Sequence, residues 1–199
     1  MKKITVRNLT VTAMLSAIAA VLMLFHFNLP FMPSFISFDL ADLPPLLASF
    51  ALGPIYGVIV CFMKNLLHIL LHSSHTMFVG ELSNFSLSCA FVVTAGLIYQ
   101  KQKTRNGAIV ASLIGAVAAA VVGVFSNYFV IYPLFGVVYN FSRETILGMY
   151  QAILPRVSNL WQALVIFNLP FTFVKGLCSA LLAFAIYKPL SPVLKGRKQ

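Results

Sequence analysis

Long apolar runs, broken only by short polar or proline-containing stretches, are the feature that most constrains how this chain can fold. Hydrophobic residues make up 60% of the 199 residues and charged residues only 9%, whereas a soluble domain carries about 25% charged residues. Several of the runs approach the ~20 residues that a helix needs to cross a bilayer. An outer-membrane barrel would instead show short segments of alternating hydrophobicity. The sequence therefore predicts an all-α integral membrane protein.

Basic residues predict how the helices are oriented. The formal net charge is +10, and the positive residues gather before the first apolar run (2–7), in mid-chain (101–105) and near the end (188–198). Such clusters mark the cytoplasmic ends of membrane helices, so the charge indicates topology and no nucleic-acid partner. We expect a multi-pass protein of the bacterial plasma membrane, surrounded by lipid, with cytoplasmic N- and C-termini. The six predicted transmembrane helices cover residues 8–28, 43–52, 54–71, 80–99, 107–131 and 166–187.

The six helices are expected to form a single substrate-binding membrane domain, residues 1–199. No G-x-x-x-x-G-K-[ST] motif is present, so the chain cannot hydrolyse ATP through a P-loop. The cysteines at 61, 89 and 178 lie far apart in apolar segments, which indicates neither a disulfide framework nor a zinc site. The basic start resembles that of a signal peptide, but the apolar run from Leu9 to Leu29 is too long for one and predicts an uncleaved first helix.

The informative residues are the few polar ones at membrane depth. Lys175 stands in the apolar stretch FNLPFTFVKGL, although a charge at the bilayer centre costs about 2.5–3.5 kcal/mol on insertion scales. Asn168, Thr172 and Ser179 recur at helical spacing on its face. An apolar cavity with a few placed polar groups is typical of a small-molecule site. Other polar side chains are expected at the same outer level: Glu81, Asn127 and the loop acids Asp39 and Asp42.

A second interpretation of the same residues is structural. Intramembrane charges often pair with one another, so Lys175 or Lys64 could pair with Glu81 or Asp42 and lock the helix bundle. The two interpretations are compatible.

Two further patterns carry weaker signals. His68, His72 and His75 have spacing compatible with a metal site, but the sequence favours a role in helix capping and hydrogen bonding, and no metal is expected. A Ser/His/Asp constellation could be assembled from residues of different segments, but no G-x-S-x-G elbow supports a nucleophile. No catalytic residue is therefore expected.

Small residues repeat along the first predicted helix. Ala13, Ala17 and Ala20 share one face. Such a face can pack inside the bundle, or it can offer a smooth docking surface to another membrane protein.

Four stretches together resemble a known family, the riboflavin-specific S components of the energy-coupling-factor (ECF) vitamin transporters. They are FDLADLPPLLASFALGPIYGVIVCFMKNLLH (38–68), GELSNF (80–85), SNYFVIYPLFG (126–136) and NLPFTFVKG (168–176). The resemblance covers nearly the whole chain, and the region 138–166 is its variable part.

The resemblance implies a six-helix subunit that captures extracellular riboflavin in an outer-half cavity, gated by the loop between the first two helices. Riboflavin is then a transported ligand, and no cofactor is implied. Uptake would need a transmembrane coupling subunit and two cytosolic ATPases. The resemblance also implies that small residues of the first helix, such as Ala13 and Ala17, form the docking face. The implied flavin contacts are Glu81, Asn127, Lys175 and the main chain at Asp39, Leu40 and Ala41. Thr172 stands where related proteins are expected to carry asparagine.

Two alternatives stay open at the level of the sequence. Residue chemistry by itself does not choose riboflavin over another vitamin such as thiamine or folate. A small intramembrane enzyme or ion pathway built on the His, Lys and Glu residues is the alternative from a different class.

Overall fold

The structure, a computed structural model, describes residues 5–72, 77–140 and 142–195, with the backbone alone for residues 72 and 187–195. Nine α-helices, two short π-helical turns and one small hairpin follow one another in the described chain. The helices are α1 (Val6–Leu24), α2 (Leu43–Ala51), α3 (Pro54–His72), α4 (Val79–Lys101), α5 (Arg105–Ser126), α6 (Tyr132–Tyr139), α7 (Arg143–Gln151), α8 (Leu160–Ala163) and α9 (Leu169–Lys195). The π-helical turns are π1 (Asn127–Ile131), which joins α5 to α6, and π2 (Leu164–Asn168), which joins α8 to α9.

Local sequence signals explain where several helices begin and end. The hydroxyl oxygens of Thr5 and Thr104 accept hydrogen bonds from backbone N–H groups in the first turns of α1 and α5, as is typical of N-cap residues. Between α2 and α3 the chain turns at Gly53, whose φ of +122° is not open to residues with a side chain. Pro54 then begins α3, where its missing N–H is no loss.

Five helical segments of the described chain are long and apolar enough to cross a membrane: 6–24, 54–71, 79–101, 105–139 and 160–186. The all-α membrane class predicted from the sequence is thereby confirmed. The predicted span at 43–52 corresponds to α2, which has nine residues and is too short to cross a bilayer unaided. The predicted fifth and sixth spans are parts of longer helical segments, because π1 and π2 carry the helices on without a break.

The loop between α1 and α2 contains a two-stranded antiparallel hairpin. β1 (Phe27–Asn28) pairs with β2 (Ser37–Phe38), with Phe27 opposite Phe38. After β2 the chain enters the bundle, because Asp39, Ala41 and Asp42 are all buried. The hairpin thus covers the end of the bundle at which α2 begins.

Close helix contacts at small residues hold the bundle together. Small residues at every fourth position of α5 form a ridge that faces inward, with Ala111, Gly115, Ala119 and Gly123 buried. A methyl group added at Gly115 would come within 2.9 Å of the Phe91 carbonyl oxygen on α4. Backbones approach this closely only where side chains are small, so the ridge fixes α5 against α4.

A second apolar cluster lies around α6, α7 and α8. Its buried members include Tyr132, Ile146, Tyr150 and Leu160. α7 contributes Ile146 and Tyr150 to this cluster, so α7 is packed into an apolar core.

Candidate functional site

A cavity of about 140 Å³ lies inside the helix bundle and is called the bundle cavity here. Phe35 and Ser37 of the hairpin loop form one side, and Phe91, Phe135 and residues of α9 form others. Polar side chains also line this space: Ser37, Asp42, Ser83, Asn84, Ser88, Asn127, Asn168, Thr172 and Lys175.

A second cavity, called the hairpin cavity, adjoins the first. It lies between the end of α1, the hairpin and the ends of α3 and α4, and it is lined by more ionisable groups: His26, Asp39, His68 and Glu81. His68 Nδ1 lies 3.5 Å from Glu81 Oε1. The two cavities share the lining residues Phe35, Ser37, Gly80 and Asn84.

Lys175 on α9 forms an ion pair with Asp39 of the loop after β2. Its Nζ lies 2.8 Å from Asp39 Oδ2, and the two side chains are 11% and 4% exposed. The Asp39 carboxylate also accepts a 2.9 Å hydrogen bond from the backbone N–H of Ala41 through Oδ1. The lysine is therefore charge-compensated at a depth where an unpaired ammonium would be costly.

A second buried pair joins α3 to the start of α2. Lys64 Nζ donates to Asp42 Oδ1 at 2.6 Å and to Ser88 Oγ at 2.9 Å, and Lys64 is 0% exposed. The Ser88 hydroxyl in turn donates to the Asp42 carboxylate. Pairing within the bundle was one of the two sequence interpretations, and it holds for Lys64 with Asp42. Lys175 also pairs, but with Asp39, which that interpretation did not name as its partner.

Three residues from different helical segments form a closed set of hydrogen bonds beside the bundle cavity. Tyr150 donates to Asn168 Oδ1 at 2.6 Å, and Asn168 Nδ2 donates to the Tyr132 hydroxyl at 3.1 Å. The two tyrosine hydroxyls lie 2.6 Å apart. Because each end of the Asn168 amide has its own partner, the orientation of the amide is fixed.

The predicted site residues fall into three groups. Asn127, Thr172 and Lys175 line the bundle cavity, while Asp39 and Glu81 line the hairpin cavity. Asn127 also accepts a 3.2 Å hydrogen bond from the Ser83 hydroxyl. Leu40 and Ala41 are not lining residues of either cavity, and Ala41 is fully buried.

The other residues singled out in the sequence are the alanines of α1 and the histidines of the possible metal site. Ala13 and Ala17 are exposed on the outside of α1, whereas Ala20 is buried in the bundle, so the three do not share a face of the same character. His75 and the side chain of His72 lie outside the described part of the chain. Among the residues described, no group of three or more His, Cys, Asp or Glu side chains is arranged to hold a metal ion.

Sequence reasoning missed several residues of the cavity wall. Phe35, Phe135 and Tyr132 were passed over because aromatic residues are common throughout the chain. Tyr150 was also missed. No pattern indicated that its hydroxyl reaches Asn168, because that contact is made across separate helices.

Comparison with known proteins identifies the class to which this fold and cavity belong. Residues 7–187 match the family described as ECF transporter, substrate-specific component, and the chain belongs to that family. Its members are components of transporters, so the alternative of an intramembrane enzyme is set aside.

Particular relatives extend over almost the whole chain. It is 32% identical to the riboflavin transporter RibU of Staphylococcus aureus, over 95% of this chain and 93% of that one. It is 29% identical to the riboflavin transporter FmnP of Bacillus subtilis, over 97% and 96%. A solved structure of the S component of a bacterial ECF transporter superimposes with a TM-score of 0.73 at 32% identity, covering 94% of this chain and 97% of the other.

Proposed function

We propose that this chain is the riboflavin-binding S subunit of an ECF transporter, which captures the vitamin outside the cell and delivers it inward with an ATPase-driven coupling module. The observation that carries the proposal is the bundle cavity, in which aromatic walls surround a lysine, three asparagines and a threonine. The relatives that are riboflavin transporters supply the identity of the vitamin.

The chemistry of the cavity suits a flavin. Riboflavin has a flat tricyclic ring, one edge with carbonyl acceptors and an imide N–H, and a hydroxylated ribityl chain. Phe35, Phe91 and Phe135 offer ring contacts, each worth about 0.5–1.5 kcal/mol beyond area burial. Asn127 and Lys175 offer donors and an acceptor for the polar edge. A ligand without that edge would leave buried polar groups unpaired and would be rejected.

The hairpin cavity is the place proposed for the polar remainder of the ligand. Glu81 lies there with Asn84, which lines both cavities, so a long ligand can extend from one space into the other. Leu40 and Ala41 take part through the position of their main chain next to Asp39. Thr172 keeps a hydroxyl in the wall and has less reach than the asparagine expected at this position.

The orientation proposed for the chain has six membrane segments and cytoplasmic termini in the plasma membrane. α2 counts as one of the six although it has nine residues, because the chain enters the bundle before α2 begins. At 1.5 Å per residue α2 covers about 14 Å, roughly half of the ~30 Å hydrocarbon core. The basic cluster at 101–105 then lies on the same side as both ends, in agreement with the positive-inside rule.

The proposed partners are a transmembrane coupling subunit and two cytosolic ATPase subunits. The chain has no P-loop motif, so energy must come from another subunit. Ala13 and Ala17 are exposed next to one another along α1, and small residues allow a partner helix to approach closely. This surface is the proposed docking face.

Uptake in a bacterial riboflavin auxotroph tests the proposal. We expect this chain to restore growth on low riboflavin only when the coupling subunit and both ATPases are co-expressed. An S component for another vitamin is the competing function, and a thermal-shift panel of riboflavin, thiamine and folate separates the two. Stabilisation by thiamine or folate, with none by riboflavin, would reject riboflavin as the ligand.

A further inference from the structure

One ion pair stands at the place where the two cavities meet. Lys175 lines the bundle cavity and Asp39 lines the hairpin cavity, and their charged atoms are 2.8 Å apart. The four lining residues that both cavities share confirm that the two spaces adjoin. The ion pair therefore crosses the boundary between them.

The two carboxylates of the loop after β2 are held in different ways. Asp42 is bound by Lys64 and Ser88. Asp42 and Ser88 line the bundle cavity, but Lys64 is fully buried and lines neither cavity. Asp39 is bound by Lys175, which lines the bundle cavity. A ligand in the bundle cavity can therefore reach the Lys175 ammonium but not the Lys64 ammonium, so competition for an ammonium concerns the Asp39 pair.

Competition follows from the hydrogen-bonding capacity of the lysine. An ammonium group carries three donors and a charge, and in this structure Asp39 holds it at 2.8 Å. A neutral acceptor on a ligand that binds this ammonium shares it with the carboxylate, which holds the ammonium in place. The strength of the Asp39 contact therefore enters both the rate and the affinity with which such a ligand binds.

We infer that Asp39 is a positioning residue: its carboxylate holds the Lys175 ammonium across the boundary between the cavities, and a ligand that accepts from Lys175 has to share the ammonium with this carboxylate. This inference rests on the proposed function, because it requires Lys175 to contact the ligand. It differs from direct recognition by the Asp39 side chain, which would give the opposite effect on mutation.

Stopped-flow quenching of riboflavin fluorescence measures the effect on the detergent-purified full chain. Asp39→Asn keeps the shape and removes the charge, and we expect the association rate to rise roughly tenfold, within the 1–3 decades over which related variants differ. Asp39→Glu keeps the charge and should return toward the wild-type rate. Glu144→Gln removes one carboxylate from the exposed first turn of α7 and controls for net charge. An unchanged or lower rate for Asp39→Asn would overturn the inference.

The same binding experiment distinguishes this inference from the proposed function. A wild-type protein that fails to bind riboflavin contradicts the proposed function. If the wild type binds riboflavin, an unaccelerated Asp39→Asn variant contradicts only the positioning role of Asp39.

Discussion

The hydroxyl of Tyr150 donates a 2.6 Å hydrogen bond to Oδ1 of Asn168, and it does so from α7, a short helix outside the long membrane segments. Tyr150 is fully buried, yet only Asn168 and Tyr132 of the three bonded residues line the bundle cavity. The outer region between α6 and α9 therefore sets the direction of an amide in the cavity wall.

Removing that hydroxyl should affect both stability and ligand binding. Tyr150→Phe leaves a buried carbonyl oxygen of Asn168 without this donor, at a cost of about 1–3 kcal/mol. We expect a lower melting temperature in detergent and weaker riboflavin binding by fluorescence titration. Tyr128→Phe is the control, because the Tyr128 ring contacts Trp161 and Arg143 outside the cavity. Equal affinity of Tyr150→Phe and wild type would show that α7 does not orient the amide.

The Lys64–Asp42 pair should be far more sensitive to loss of one partner than to loss of both. Lys64→Met leaves the buried Asp42 carboxylate without its ammonium partner. Such a loss typically lowers the free energy of unfolding by about 3–5 kcal/mol. Lys64→Met combined with Asp42→Asn leaves no uncompensated charge and should recover part of the loss. Thermal unfolding of the single and double variants forms a double-mutant cycle. Additive losses would mean that the two groups do not stabilise one another.

The contact of α4 with the α2–α3 turn should not tolerate one added methyl group. A Cβ at Gly96 would collide with the Ser49 hydroxyl, which donates to the Val92 carbonyl at 2.7 Å, and would lie 2.9 Å from Pro54 Cγ. We expect Gly96→Ala to lower the melting temperature, since overpacking costs about 1–3 kcal/mol. Gly148→Ala on α7 meets nothing within 4 Å and should be neutral or slightly stabilising. Similar changes in melting temperature for Gly96→Ala and Gly148→Ala would refute the close approach of α4 to Ser49 and Pro54.

The exposed face of α1 should matter for transport and not for binding. Ala17→Trp places a large side chain on the proposed docking surface, and we expect unchanged riboflavin affinity with uptake reduced at least about tenfold if docking is lost, a change of ~1.4 kcal/mol or more. Ile114→Trp, on the exposed side of α5, is the matched control and should retain uptake. Normal uptake by Ala17→Trp would remove α1 from the docking surface.

Much of the fold was accessible from the sequence because membrane burial imposes a simple rule on apolar length. That rule found the long helices, and helical spacing placed Asn168, Thr172 and Ser179 on one face with Lys175. It could not show that α2 is a short buried helix, because length rules assume that a segment crosses the whole bilayer.

The candidate site was predictable as a set of residues and not as an arrangement. Polar residues at membrane depth are costly, so Asn127, Thr172 and Lys175 stood out and do line the bundle cavity. Which acid pairs with which lysine depends on distances between segments far apart in the chain. The sequence could not decide that Lys175 pairs with Asp39 while Lys64 pairs with Asp42, nor that Glu81 lies in the adjoining cavity.

Binding of riboflavin to the purified chain, measured by quenching of flavin fluorescence, tests the central claim most directly. We expect saturable one-to-one binding by the wild type and a loss of about 1.5–3 kcal/mol in Lys175→Met, the range for a hydrogen bond to a charged group. Lys101→Met, at the opposite end of α4 from the cavity, should bind as the wild type does. Absence of riboflavin binding by folded wild-type protein, or equal binding by Lys175→Met, would contradict a flavin site in the bundle cavity.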